Sequence, residues 1–90
     1  MFKIESGSDG PEAILRLSGR IESEHLEELK AQIEIRGHGI VLDLKEVRLV
    51  DRDVVQFLVL CESKGIKLRH CAPYIREWIL REKSRDGGPR

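Results

Sequence analysis

The segment Gly39-Ile-Val-Leu-Asp-Leu-Lys-Glu-Val-Arg-Leu-Val-Asp-Arg-Asp-Val-Val55 decides the fold of this chain. It begins with the apolar run Ile40-Val-Leu42, and Leu44 continues it after a single aspartate. A continuous apolar run of this length is typical of a strand that is buried on both faces of a parallel sheet. We therefore predict a central parallel strand here, followed by a loop over Lys45–Val50.

A largely apolar helix is predicted to follow that loop, from about Arg52 to Lys64. Asp51 directly precedes it and has the residue type favoured at a helix N-cap. Because most of the positions from Val54 to Cys61 are apolar, we expect this helix to lie in the core. Gly65 is expected to end it.

The flanking sequence predicts the order β-β-α-β-α-β-α. The remaining elements are strands at Phe2–Glu5, Ala13–Leu17 and Ile66–His70, a turn over Ser6–Pro11, a helix from Glu22 or Ser23 to about Ile35, and a last helix from Pro73. Alternating strands and helices imply right-handed crossovers and a mainly parallel sheet, with the first strand antiparallel at one edge. The predicted fold class is α/β, a single layer of mostly parallel sheet with helices packed on it.

The composition limits the class of protein. The chain has 90 residues, of which 40% are hydrophobic and 36% charged, so it can form one small domain with a solvated surface. We assign this domain to residues 1–85 and expect a loose tail over 86–90. The 16 basic and 16 acidic residues are interspersed, which argues against a nucleic-acid-binding face. No segment has the length and apolarity of a membrane span or a signal peptide, so we expect a cytoplasmic protein.

Metal-binding and thiol chemistry have little support in the sequence. The soft ligands are His25, His38, His70, Cys61 and Cys71, and none of them forms a CxxC or HxxxH pair. We predict no metal site, no cofactor and no disulfide, because two cysteines do not make the framework of a small secreted domain. The preferred interpretation is reduced, packed thiols.

Three motifs resemble the STAS domain, the family named for sulphate transporters and anti-sigma factor antagonists. They are Leu17-Ser-Gly-Arg-Ile-Glu22, the block from Leu42-Asp-Leu44 to Asp51, and Gly65-Ile-Lys-Leu68 followed by a Pro-initiated helix. Their order and spacing are similar to those of the family from about Phe2 to Leu80. The resemblance implies the α/β fold predicted above and a non-catalytic role in regulation or scaffolding of bacterial signalling proteins.

The chain departs from the family at its C-terminal end. Family members continue into a fifth strand and a fourth helix, whereas about ten residues remain here after Leu80. The strand at Ile66–His70 is therefore expected to be an exposed sheet edge. Exposed edges are templates for pairing with another chain, so we predict that a homodimer could form through this strand.

A second departure concerns the start of the central helix. The family has two hydroxyl residues and a glycine there, and the second hydroxyl is the usual phosphorylation site; this chain has Arg52-Asp-Val54. Asp53 places a permanent charge of about −1 where a phosphate would carry about −1.5 to −2. One interpretation is a domain fixed in a state like the modified one. The other is that Asp51 and Asp53 only cap the helix.

The resemblance implies a docking surface around this helix start. Partners of the family include anti-sigma factors with a kinase-like fold, stressosome-like assemblies and the ATPase subunit of a lipid transporter. The candidate partner-binding residues are Arg20, Glu22, Arg48, Asp51, Arg52, Asp53 and Gln56. Arg52 either pairs locally with the carboxylates or meets an acidic partner, and Tyr74 and Trp78 form either core or a contact surface.

Two further functions remain open at the level of sequence. A small-molecule sensor for a nucleotide or lipid would need a pocket near the loop from Arg48 to Asp53. An enzyme using Cys71 as a nucleophile is the third hypothesis. The sequence contains no Gly-rich phosphate loop, and no Ser-His-Asp set is recognisable in it.

Overall fold

The computed structural model of the chain describes residues 2–37 and 39–86, which form a four-stranded mixed sheet and three α-helices. The elements are β1 Lys3–Asp9, β2 Glu12–Ile21, a 3-10 turn Ser23–His25, α1 Leu26–Arg36, β3 Val41–Val50, α2 Arg52–Ser63, β4 Lys67–Arg69 and α3 Pro73–Asp86. The strands follow one another in the order β1-β2-β3-β4. Only β1 is antiparallel to its neighbour. The predicted element order and the antiparallel edge strand are confirmed.

The core lies between the sheet and the helices. Leu15 and Leu17 of β2 and Leu42 and Leu44 of β3 are almost completely buried and alternate along their strands, so they share one face. The helical members of the same cluster are Leu29, Ile33, Val54, Val55, Leu58, Cys61, Ile75 and Ile79. Since all three helices contribute to this cluster, they cover the same face of the sheet.

The opposite face of the sheet is charged but not fully solvated. Ile14 and Val41 pair with each other on this face and are also buried, which confirms that the start of β3 is enclosed on both sides. Around them, Glu12 Oε2 lies 3.4 Å from Lys67 Nζ and Glu12 Oε1 lies 3.4 Å from Arg69 Nη2. The long side chains beside these apolar residues can cover them with their methylene stems.

The prediction of a loop over Lys45–Val50 is wrong, because β3 continues to Val50. The reason is that β2 reaches Ile21 and keeps pairing with β3 up to Val50. The pairing has two register irregularities, and Gly19 has a φ of 87° between them, a conformation that a glycine adopts without strain. Likewise β1 extends to Asp9 beyond the predicted Glu5, because β2 supplies partners along its whole length.

Both ends of α2 agree with the sequence-based expectation. Asp51 is its N-cap, and Gly65, with a φ of 92°, follows its C-cap. The Gly65 N–H donates to the carbonyl of Glu62 and the Ile66 N–H to that of Cys61, both at 3.0 Å. This is the Schellman arrangement, which satisfies the last carbonyls of the helix.

The C-terminal part differs from the expectation in two places. The strand β4 spans Lys67–Arg69 instead of the predicted Ile66–His70. His70 cannot belong to it, since its φ of 59° lies outside the strand region. The strand is an edge, as predicted. The last helix includes Asp86, the first residue of the predicted tail, and residues 87–90 lie outside the described residues.

Polar contacts fix α3 against α2 and β3. The Glu62 carboxylate of α2 accepts hydrogen bonds from Arg76 Nη1 at 3.1 and 3.2 Å, and Lys83 Nζ lies 2.9 Å from it. In the first turn of α3 the Tyr74 hydroxyl donates to the Arg48 carbonyl at 2.6 Å. The strand β4 pairs with β3 only from Val41 to Asp43 and does not extend as far as Arg48. The Tyr74 hydroxyl therefore bonds to a carbonyl of β3 that β4 does not contact. Within residues 2–37 and 39–86, no helix is long and apolar enough to cross a membrane.

Candidate functional site

Asp51 lies where the turn before α1 meets the start of α2, and both of its carboxylate oxygens are used. Oδ1 accepts the N–H of Val54 at 3.0 Å, the bond expected of an N-cap. Oδ2 accepts the N–H of Ser23 at 2.9 Å, across 28 residues of chain. One side chain thus satisfies a free N–H at two helix starts, so Asp51 is a structural residue of this corner.

Asp53 has a different environment from Asp51, although both are acidic and close in sequence. It lies in the first turn of α2 with an exposed side chain, and no hydrogen bond or ion pair joins its carboxylate to another described residue. Of the two aspartates expected to cap the helix, only Asp51 does so through its side chain. Asp53 therefore presents an unpaired negative charge at the positive end of the helix dipole.

Arg52 and Gln56 reach toward α3. Arg52 Nε lies 3.8 Å from Glu82 Oε2, and Gln56 Nε2 lies 3.4 Å from Glu82 Oε1. Glu82 is only 7% exposed, so its carboxylate needs these polar neighbours. The sequence left two alternatives for Arg52: a local pair with Asp51 or Asp53, or a contact with an acidic partner protein. In the structure Arg52 instead pairs with the Glu82 carboxylate of α3.

The candidates Arg20, Glu22 and Arg48 line one open cleft of about 720 Å³ at the carboxyl ends of β2 and β3. Arg20 Nη1 lies 3.9 Å from Glu22 Oε2, a distance at which the attraction is weak at a solvated surface. The structure therefore divides the predicted surface in two. Arg20, Glu22 and Arg48 gather at the cleft, whereas Arg52 and Gln56 belong to the contact between α2 and α3.

Two cleft residues, Phe2 and His25, were not expected at the site. Their rings stack with centroids 4.4 Å apart and planes 18° apart. The N–H of Glu22 donates to His25 Nδ1 at 3.0 Å, which makes His25 part of a capping box for the turn. A Glu-x-x-His spacing is a weak variant of the usual capping-box pattern, so the sequence carries only a faint signal for this role.

The cysteines lack the environment of a nucleophile. Burial raises the pKa of the Cys61 thiol to about 12, and the opposing effect of Lys64 is smaller. Burial also raises the pKa of Cys71, against a smaller lowering by Arg76. Both thiols are therefore protonated at neutral pH, whereas the thiolate is the reactive form. Both are free, and no group of three or more His, Cys, Asp or Glu side chains within the described part of the chain could hold a metal ion.

No protein-family model matches the chain, and no curated protein matches it either.

Proposed function

We propose that this chain is a non-catalytic STAS-type module that regulates or scaffolds by docking on a protein partner. The order of its elements, the motifs of the sequence and the placement of Asp51 at the start of α2 support this assignment. The docking surface would be the corner where β2 and β3 end and α2 begins. The class of partner is a regulatory kinase-like protein, a stressosome-like assembly or a transporter ATPase subunit, as the resemblance implies.

The observation that carries the proposal is the contrast between Asp51 and Asp53. Both carboxylate oxygens of Asp51 make hydrogen bonds within the fold, whereas the Asp53 carboxylate is exposed and has no hydrogen bond or ion pair among the described residues. The resemblance implies that the family's phosphorylated hydroxyl corresponds to Asp53. Asp53 has no hydroxyl, so it cannot form the phosphate monoester of the family's switch, and docking would not be controlled by a kinase that modifies serine or threonine. Its fixed negative charge would instead favour a partner surface that is permanently basic.

Reversing the charge of Asp53 is expected to abolish capture of the partner. The tagged chain, the variant Asp53→Arg and the control Glu77→Arg would be used as baits in an extract of cells that express the protein. Glu77 is a suitable control because its side chain is 75% exposed on α3 and, among the described residues, pairs with Arg81 one turn along the same helix. We expect at least one protein to be retained by the wild type and the control but lost with Asp53→Arg, as judged by quantitative mass spectrometry.

The same set of proteins retained equally by all three baits would contradict docking through Asp53. A circular dichroism spectrum of each variant shows whether its fold is intact. Loss of a protein with Glu77→Arg alone would place the docking surface on α3 instead.

A small-molecule sensor is the second candidate, since the cleft beside Arg48 has a volume within the range of ligand sites. Its lining contains two arginines but also three glutamates, so a simple polyphosphate would meet both attraction and repulsion. A thermal-shift screen with nucleotides and soluble lipid headgroups tests this function. If it is correct, one compound raises the melting temperature of the wild type but not of Arg48→Ala; no shift at millimolar ligand would argue against it.

A further inference from the structure

The outward face of α2 carries four residues whose side chains are exposed or only partly buried. They are Asp53, Phe57, Leu60 and Lys64, which directly follows the helix as its C-cap. At 3.6 residues per turn they fall within an arc of about 60°, so they form one stripe along the helix, about 16 Å long. Leu60 is 56% exposed, Phe57 is partly buried, and Asp53 and Lys64 are exposed.

The stripe has an apolar centre and opposite charges at its ends. The carboxylate of Asp53 has no cationic partner, and the ammonium of Lys64 has no carboxylate partner, among the described residues. By comparison Lys3, Lys67 and Lys83 each lie within 3.4 Å of a carboxylate oxygen. The two ends of the stripe are therefore uncompensated charges.

The pattern is self-complementary. The pairs 53/64 and 57/60 share one midpoint, between residues 58 and 59. If a second α2 lies antiparallel on the first with a two-fold axis at this midpoint, Asp53 faces Lys64 of the other copy, and Phe57 faces its Leu60. A two-fold interface requires this kind of match, because the same patch must fit itself.

The surface beside the stripe provides space for the exposed leucine. A groove of about 300 Å³ runs between α1 and α2, and its apolar lining is formed by Ile33, Phe57, Leu60, Cys61 and Ile66. Lys30 Nζ lies 6.0 Å from the centre of the Phe57 ring and forms part of the rim together with Glu34. A leucine side chain from the other copy can enter this groove and remove apolar surface from water on both sides.

From this self-complementarity we infer that the chain forms an antiparallel homodimer through α2, with a second copy as the occupant of the groove. The contact buries the face that displays Asp53, so self-association and docking of a partner at Asp53 exclude each other. The interface is distinct from the edge of β4, which offers only three residues for pairing. A single pair of helices is smaller than a standard interface, so we expect a weak dimer that is populated only at high protein concentration.

A charge exchange in the purified protein tests the inference by analytical ultracentrifugation between about 1 μM and 1 mM. Asp53→Lys and Lys64→Asp each place like charges opposite one another, and we expect each to weaken the dimer at least about tenfold. An equimolar mixture of the two variants restores opposite charges at both ends of the pair. We therefore expect the mixture to associate with nearly the wild-type constant, although each component alone associates at least about tenfold more weakly.

Two leucine variants form a matched pair for the apolar centre. Leu60→Glu should abolish the dimer, whereas Leu80→Glu should leave it unchanged, because Leu80 is 54% exposed on α3 and outside the stripe. A wild type that remains monomeric at 1 mM would overturn the inference. A dimer that both charge reversals leave intact would also overturn it. Such a result is expected if the chains pair through the edge of β4. Because no partner protein is present, these results do not depend on the proposed docking function.

Discussion

Replacing Asp51 with alanine is expected to lower the free energy of unfolding by about 2–3 kcal/mol. The substitution removes the side-chain cap of α2, which typically contributes about 1 kcal/mol. It also removes the acceptor for the Ser23 N–H, a second hydrogen bond with a charged group. Urea denaturation followed by circular dichroism measures the difference, and its slope shows whether the transition remains two-state.

Asp53→Ala is the matched control for this prediction. It removes the same type of side chain from the same helix turn but breaks no hydrogen bond, so we expect a change within about 0.5 kcal/mol. Asp51→Asn should fall between the two alanine variants, because an amide has one acceptor oxygen and Asp51 uses two. Equal losses for Asp51→Ala and Asp53→Ala would show that Asp51 does not join the two helix starts.

Glu62→Gln is expected to destabilise the protein by about 1–2 kcal/mol at pH 7 and by much less near pH 2. Burial alone raises the pKa of the Glu62 carboxyl, but the hydrogen bonds and charges of Lys83 and Arg76 together hold the pKa below its ordinary value of 4.5. The neutral amide keeps an acceptor but loses the charge-assisted bonds to both cations. The contact between α2 and α3 is therefore weakened.

The dependence on pH follows from the direction of that shift. Because the pKa is lower in the folded than in the unfolded state, the unfolded state binds more protons as the pH falls below about 4.5. The stabilisation is present above this pH and is lost as the pH falls through the folded-state pKa. Glu77→Gln, on the exposed side of α3, is the matched control for replacing a carboxylate with an amide. A difference between wild type and Glu62→Gln that stays constant from pH 7 to pH 2 would contradict the mechanism.

The sequence predicted α2 best, because the signals that define it are local. Asp51 and Gly65 mark the two ends of the helix within a single turn of chain, and each makes the backbone contacts that its residue type favours. The strand before it was predicted only in its apolar first half. The polar second half, from Lys45, is held by pairing with β2, and no local pattern reports the length of a partner strand.

The candidate site was predicted only in part, because some of its features are local and others depend on tertiary packing. The cap at Asp51 is a local feature, whereas the bond from its second oxygen to Ser23 depends on how β2 and β3 are paired. The contact of Arg52 with Glu82 could not be foreseen either, since it depends on how α3 packs on α2. Leu60 was expected in the core, but 3.6-residue periodicity places it on the outward side of the helix.

The two hydrogen bonds of Asp51 connect the turn before α1 to the start of α2. Its carboxylate holds the starts of two crossover connections, so displacing that one group releases both of them together. A basic side chain that draws the carboxylate away would loosen the turn before α1 and the first turn of α2 in the same event. The two helix starts therefore share one acceptor group, and a change in the position of that side chain alters the hydrogen bonding of both.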